Sequence, residues 1–279
     1  MARQRGPGLA TQVRFLPGAP PRTPPTEAGS GATFSPMGSL LSRDFVSLQM
    51  ALVDRFVELD LGTRVEGVHR LTNFHRRLGL GTPTDPPSTP DWVALLERIG
   101  AASDHDQRVD TVMEACAALP PPVPEHIAHG WPTRGAFSVE VDGTVARTHF
   151  WSMDTDDLSP LHPSKLETRR QELRGVLAAV RDADPRIDRV AGGSWLYTTR
   201  SYASLFPAEH IDAAVIRRGR ATFRGMSHWG QFLDHRGMLR TDLVETFQTR
   251  LGTWSGDDPC ALFPIPTLEV SSPIEVFDR

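Results

Sequence analysis

Cysteine and lysine are both scarce in this chain of 279 residues. Cys116 and Cys260 are the only cysteines, and two thiols so far apart provide neither a disulfide framework nor a zinc-ligand spacing, which favours a reducing cytoplasm. Lys165 is the only lysine among 30 basic residues. Because the net charge is −4, we attribute the excess of arginine to codon usage and expect no nucleic-acid partner.

Long apolar runs are absent as well. No stretch is long enough for the core of a signal peptide or for a membrane helix. A content of 39% hydrophobic and 23% charged residues is typical of a soluble globular protein. We therefore expect a soluble cytoplasmic protein without a membrane partner.

Several motifs that identify enzymes are missing too. The chain contains no His-Glu-x-x-His, no Gly-x-Ser-x-Gly and no glycine-rich phosphate loop. Residue types that bind zinc or iron do occur in distant segments, and a metal-site hypothesis would combine His149, Asp154, His162 and His228.

Composition divides the chain into three parts. Residues 1–36 are rich in proline, glycine and threonine and predict a disordered N-terminal segment. A natural start at Met37 or Met50, or a basic targeting peptide, is an alternative interpretation of the same residues. Residues 37–124 predict a helical N-terminal part that ends in a proline run, and residues 125–279 predict an α/β domain.

Helical periodicity dominates the second part. It predicts one helix from Phe45 to Leu59, a second through Val68, Leu71, His75 and Leu78, a third from Thr89-Pro90, and a fourth through Val109 and Cys116.

The sharpest local pattern lies between residues 137 and 151. Apolar and polar residues alternate there, and Asp142-Gly143 predicts a hairpin with a two-residue type I′ turn. The predicted register pairs Val141 with Thr144, Val139 with Ala146 and Phe137 with Thr148. The polar face then carries Glu140, Arg147, His149 and Trp151. A histidine in this position is either a half-buried hydrogen-bonding residue or a catalytic group.

A long helix follows the hairpin. Ser164 and Glu167 predict a capping box at its start, and Asp184-Pro185 predicts its end. The amides of its first turn, with Lys165 beside them, are a candidate phosphate site unless the capping box already satisfies them.

Paired glycines then interrupt a short strand. Gly192-Gly193 predicts a bulge or a place where another backbone or a ligand comes close. The polar-tipped residues that follow, together with a later segment rich in aromatic residues, predict a substrate pocket lined by Ser194, Trp195, Tyr197, His228 and Trp229. An equally good interpretation of Trp195 and Tyr197 is that they are core residues whose one polar atom is hydrogen-bonded. A strand is predicted over residues 214–223, and Pro266 and Pro273 place the last strand at a sheet edge.

The order of these elements resembles the GCN5-related N-acetyltransferase superfamily, and within it a poorly characterised acyltransferase-like branch. The resemblance covers residues 42–277 as an order of elements, and the segments that carry it are Val139–Trp151, the long helix, Ser194-Trp195-Leu196 and Leu205-Phe206-Pro207. It implies an α+β fold in which a helical part precedes a mixed, mostly antiparallel sheet with flanking helices.

The resemblance also implies an activity. The donor would be acetyl-coenzyme A or another acyl-coenzyme A, with its pyrophosphate held between Ser152 and Lys165, and Ser164 beside it. The family motif Gln/Arg-x-x-Gly-x-Gly/Ala is missing from this acidic loop. The family pattern places a general acid at Tyr202, and His149 or Glu140 would act as the general base toward a small-molecule amine.

Three hypotheses follow from the sequence. The first is an acyl-coenzyme A-dependent N-acyltransferase, the second is a metal-dependent hydrolase or oxygenase, and the third is a non-catalytic binding or accessory protein. A pocket without titratable groups would favour the third hypothesis.

Overall fold

A computed structural model describes residues 41–81, 86–151, 154, 156–218 and 226–278. The predicted N-terminal segment 1–36 and the predicted cofactor contact Ser152 lie outside this part of the chain. Its helices are α1 (Arg43–Glu58), α2 (Arg64–Leu71), α3 (Phe74–Arg77), α4 (Pro90–Ala101), α5 (His105–Ala118), α6 (Glu125–Ala128), α7 (Leu166–Ala183), α8 (Arg200–Ala203), α9 (Ala208–Asp212), α10 (Met226–Trp229) and α11 (Thr241–Gly252). Its strands are β1 (Thr133–Arg134), β2 (Phe137–Asp142), β3 (Val145–Phe150), β4 (Arg189–Ser194), β5 (Val215–Ile216) and β6 (Leu268–Pro273).

The first, third and fourth predicted helices are confirmed as α1, α4 and α5. The second prediction is wrong, because the segment forms two short helices, α2 and α3. Between them Thr72 is extended, and the side chain of Gln49 binds Asn73 twice, with its amide nitrogen 3.0 Å from Asn73 Oδ1 and its amide oxygen 2.9 Å from Asn73 N. This buried bidentate contact replaces the helical hydrogen bonds at the break.

The β2–β3 hairpin has a different register from the predicted one. Phe137 pairs with Phe150, Val139 with Thr148 and Val141 with Ala146, so Gly143-Thr144 forms the turn. Gly143 has a φ of 62°, and positive φ only at the first central residue is the pattern of a type II′ turn rather than type I′. The shift moves each partner by two residues and therefore leaves both predicted faces unchanged.

The six strands form one open mixed sheet in the order β1-β2-β3-β4-β6-β5. Only β3 and β4 pair in parallel, and the other four neighbouring pairs are antiparallel. The predicted mixed, mostly antiparallel sheet is confirmed. The edge position predicted for the last strand is wrong, because β6 lies between β4 and β5. Pro266 precedes β6 and Pro273 is its last residue, so neither proline interrupts the ladder.

Helix α7 covers one face of the sheet. Leu173, Leu177 and Val180 pack there in a core that includes Val139 and Val190. The helix ends at Ala183 as predicted, but Ser164 does not cap it. A 3₁₀ turn, Pro163–Lys165, precedes α7, and Nδ1 of His162 accepts a hydrogen bond from the Ser164 amide.

A second core lies among the N-terminal helices. It contains Phe45, Trp92 and Val112, and it also contains Trp229, Phe247 and Phe263 from the C-terminal third of the chain. None of the described helices is both long and apolar enough to cross a membrane.

Candidate functional site

The sheet face opposite α7, here called the open face, is the floor of a cleft of about 1110 Å³. Its floor residues alternate with the core residues along the strands: Ser138, Glu140, Arg147, His149, Ala191, Gly193, Glu269 and Ser271. The walls come from the end of α3, from the proline-rich connector before α6, and from residues of the 213–230 segment. The cleft volume suits a small-molecule site.

The parallel strands β3 and β4 separate at their carboxyl ends, inside this cleft. Their pairing ends at Arg147 and Ala191, although β3 continues to Phe150 and β4 to Ser194. Residues of both separated strand ends line the cleft, and the carboxyl ends of parallel strands are a common place for ligands in open sheets.

Tyr197 fills the base of this separation. Its hydroxyl lies 3.4 Å from Oγ1 of Thr148, which is also 3.3 Å from the carbonyl oxygen of Ala191. A Cβ at Gly192 would collide with the Tyr197 hydroxyl. The group that approaches Gly192 is therefore an internal tyrosine side chain, not the backbone segment or ligand that was predicted. The predicted bulge is absent as well, because β4 pairs with β6 residue for residue through both glycines.

Tyr202 lies directly behind Tyr197. The two rings are 5.1 Å apart and nearly perpendicular. Burial raises the pKa of Tyr197 to about 12 and raises the pKa of Tyr202 well above its usual value. Both phenols therefore stay protonated at physiological pH. Tyr202 lines the cleft at this depth, and its predicted role as a proton donor stays a prediction.

His149 and Glu140 form a pair on the cleft floor. Nε2 of His149 lies 3.3 Å from Oε2 of Glu140, and the histidine side chain is 36% exposed. Burial lowers the pKa of His149, while hydrogen bonding to Glu140 opposes that shift. The imidazole is therefore neutral at pH 7 and able to accept a proton.

Trp131 stacks on the His149 ring. The ring centroids are 4.7 Å apart and the planes differ by 21°, and His129 also stacks on the indole, at 5.4 Å. This stack restrains the imidazole plane while Glu140 restrains Nε2. Trp131 is not among the predicted site residues, because a lone tryptophan before a strand carries no local signal of its partner.

The other charged groups of the cleft are mostly neutralised in pairs. Arg217 lies 2.8 Å from Glu269, and Arg76 lies 3.1 Å from Glu125. Glu140 differs because its closest hydrogen-bond partner is a neutral imidazole. Its carboxylate is therefore available to stabilise positive charge that develops on His149.

The structure brings three of the five predicted pocket residues to the cleft. Ser194, Trp195 and Tyr197 line it, although the Ser194 hydroxyl accepts a hydrogen bond from the Leu196 amide. Within the described chain, the cleft lining does not include His228 or Trp229. Both are buried near Phe263, and the Trp229 indole donates to the carbonyl of Leu71 at 2.8 Å.

Described charged side chains of the predicted cofactor loop are paired with one another. The Lys165 ammonium lies 2.7 Å from Asp154 and 2.5 Å from Asp156, and Arg169 also binds Asp154. The amides of residues 158, 161, 162, 164 and 165 all have acceptors within the loop. These described residues do not fit a pyrophosphate, because their cations are neutralised and their amides are occupied.

The four residues of the metal-site hypothesis do not form a group. His149 contacts Glu140, Asp154 contacts Lys165, and His162 contacts Ser164. Throughout the described ranges, no three His, Cys, Asp or Glu residues are arranged to hold a metal ion.

Comparisons of the chain with protein-family models, with curated proteins and with solved structures found no match. The functional conclusion therefore depends on the geometry of the cleft and on the resemblance in the order of elements.

Proposed function

We propose that this protein is an N-acyltransferase that acylates a small-molecule amine in the cleft. In this fold β3 is followed by the long helix α7 and then by the parallel strand β4. This order supports the resemblance to the GCN5-related superfamily. The separation of β3 and β4 beyond Arg147 and Ala191 supports it further, since the separated strand ends line the same cleft.

The observation that carries the proposal is the His149–Glu140 pair beside this separation. Glu140 accepts a hydrogen bond from the Nε2–H group of His149. This contact selects the tautomer in which the Nδ1 lone pair is available. Nδ1 forms no hydrogen bond within the described part of the chain. This nitrogen removes a proton from the attacking amine, and Glu140 stabilises the resulting imidazolium.

Bond formation then needs no further titrating group on the floor. The amine nitrogen bonds to the acyl carbonyl carbon, the bond from that carbon to the leaving group breaks, and His149 later returns its proton to solvent. The hydroxyls of Tyr197 and Tyr202 remain protonated and act as hydrogen-bond donors at the base of the separation. A cleft with this content of titratable groups does not favour the hypothesis of a non-catalytic binding protein.

Acyl-coenzyme A is the donor that the resemblance implies. Because the described residues of the predicted loop do not fit its pyrophosphate, we derive no step from that cofactor and propose the donor as an acyl thioester in the wider sense.

Thiol release tests the proposal with two donors, acetyl-coenzyme A and S-acetyl-N-acetylcysteamine, over a panel of primary amines. We expect His149→Ala to lower kcat/KM by about 10²–10⁴-fold without changing the thermal midpoint, because general-base catalysis contributes effects of that size. His126→Ala is the matched control, since His126 lines the same cleft and lies next to Trp151 rather than next to Glu140.

Two results would contradict the proposal. One is a folded His149→Ala protein with wild-type activity. The other is a wild-type protein that acylates none of the amines with either donor.

A further inference from the structure

A second group of chemically competent side chains lies outside the cleft, between α1 and α5. Oγ of Ser47 is 2.9 Å from Nε2 of His105, and Nδ1 of the same imidazole is 2.7 Å from Oδ2 of Asp54. Ser47 and Asp54 are two turns apart on one face of α1, and His105 is the first residue of α5. These contacts join a hydroxyl, an imidazole and a carboxylate in one hydrogen-bond chain.

The hydrogen-bond arrangement of Ser47, His105 and Asp54 matches that of an activated serine. An imidazole that donates from Nδ1 to a carboxylate presents its Nε2 lone pair to the hydroxyl and can accept the hydroxyl proton. The carboxylate is itself held in place, because Oδ1 of Asp54 lies 2.9 Å from the buried guanidinium of Arg108. The His105 side chain is 35% exposed, so an external reagent can approach the group.

We propose that Ser47 is an activated nucleophile that takes up acyl or phosphonyl groups from ester-type electrophiles. The Ser47 oxygen bonds to the electrophilic carbon or phosphorus, the bond to the alkoxide or fluoride leaving group breaks, and the serine proton passes to Nε2 of His105. The proton then leaves with an alcohol or to solvent. This site is independent of the acyltransferase proposed for the cleft.

The position of Ser47 determines how far the reaction goes. Ser47 lies in the second turn of α1, where its amide already donates to the carbonyl four residues earlier. That amide is therefore not available to stabilise an oxyanion, and removal of one such donor costs other serine enzymes about 10²–10³ in kcat. We accordingly expect a stable covalent adduct rather than rapid turnover.

The chain contains a matched comparison for this site. Oγ of Ser164 lies 2.8 Å from Nδ1 of His162, but no carboxylate contacts that histidine within the described residues. Ser47 and Ser164 therefore differ in the third member of the hydrogen-bond chain. Labelling of the full-length protein with a fluorophosphonate, followed by peptide mass spectrometry, measures both serines in one sample.

We expect one adduct per chain, at Ser47, and at least about 100-fold slower labelling of Ser164. Asp54→Asn and His105→Gln should each slow the labelling of Ser47 by a similar factor, whereas His149→Ala should not change it. Equal labelling of the two serines in the wild-type protein would overturn the proposal. Unchanged labelling in a folded His105→Gln protein, checked by its thermal midpoint, would overturn it as well.

Discussion

Gly192 and Gly193 are adjacent in β4, yet we expect opposite responses to alanine. A Cβ at Gly192 would collide with the Tyr197 hydroxyl and lie 3.2 Å from Oγ1 of Thr148. Tyr197 is 1% exposed and packs at 5.1 Å against both Tyr202 and Phe206, so it can move only by giving up these contacts. Overpacking costs about 1–3 kcal/mol and a lost hydrogen bond about 1 kcal/mol. Gly192→Ala should therefore lower the free energy of unfolding by about 2–4 kcal/mol.

Gly193→Ala is the control for this prediction. A Cβ at Gly193 would meet no heavy atom within 4 Å, and alanine in a strand is favoured over glycine by about 0.5–1 kcal/mol. Urea unfolding of both variants measures the difference. Tyr197→Phe removes the colliding oxygen, so the double variant with Gly192→Ala should recover part of the loss. Equal stability of the Gly192→Ala and Gly193→Ala proteins would refute the packing described for Tyr197.

Two further predictions concern histidines. Trp131→Ala should raise the pKa of His149 towards its ordinary value, because water can hydrate the charged imidazole once the stacked indole is removed. An NMR titration of the His149 C2 proton measures this pKa, and an unchanged value would contradict the prediction. His210 is fully buried, with its pKa lowered to about 4 by burial. Its ordinary pKa is about 6.5, so between pH 6.5 and 4 the unfolded chain binds a proton at this histidine and the folded protein does not. The free energy of unfolding should therefore fall by about 3 kcal/mol in total as the pH is lowered from 6.5 through 4. Urea unfolding at pH 7.5 and 4.5 should show a smaller pH dependence for His210→Asn, and an identical pH dependence would contradict the assignment.

Elements whose patterns are local were predicted well. The apolar stripes and end signals of α1, α4, α5 and α7 locate those helices to within a few residues, because both kinds of signal act over one or two turns. The faces of the hairpin are also correct, because the register differs from the predicted one by two residues and side-chain direction repeats every two residues. Glu140 and His149 were accordingly placed on the same face before their contact was known.

Predictions that depended on a single dipeptide or proline were less successful. Asp142-Gly143 fits a type I′ turn, yet the structure uses Gly143-Thr144, because the strand pairing beyond the turn decides which two residues are left unpaired. Pro266 and Pro273 indicated an edge strand, but both lie at or outside the ends of β6. The break between α2 and α3 depends on Gln49, which is 24 residues from Asn73.

The amino-acid sequence by itself determined the identity of the main elements, which face of each is apolar, and the presence of Glu140, His149, Ser194, Trp195 and Tyr197 in the region that carries the cleft. Only the tertiary structure decided which distant side chains meet: Trp131 against His149, Tyr197 against Gly192, and Ser47 with His105 and Asp54. It also decided that His228 and Trp229 are buried and that Lys165 is bound by two carboxylates. The physical reason is that periodicity reports how one element divides its own surface, whereas contacts between elements depend on how whole surfaces pack together.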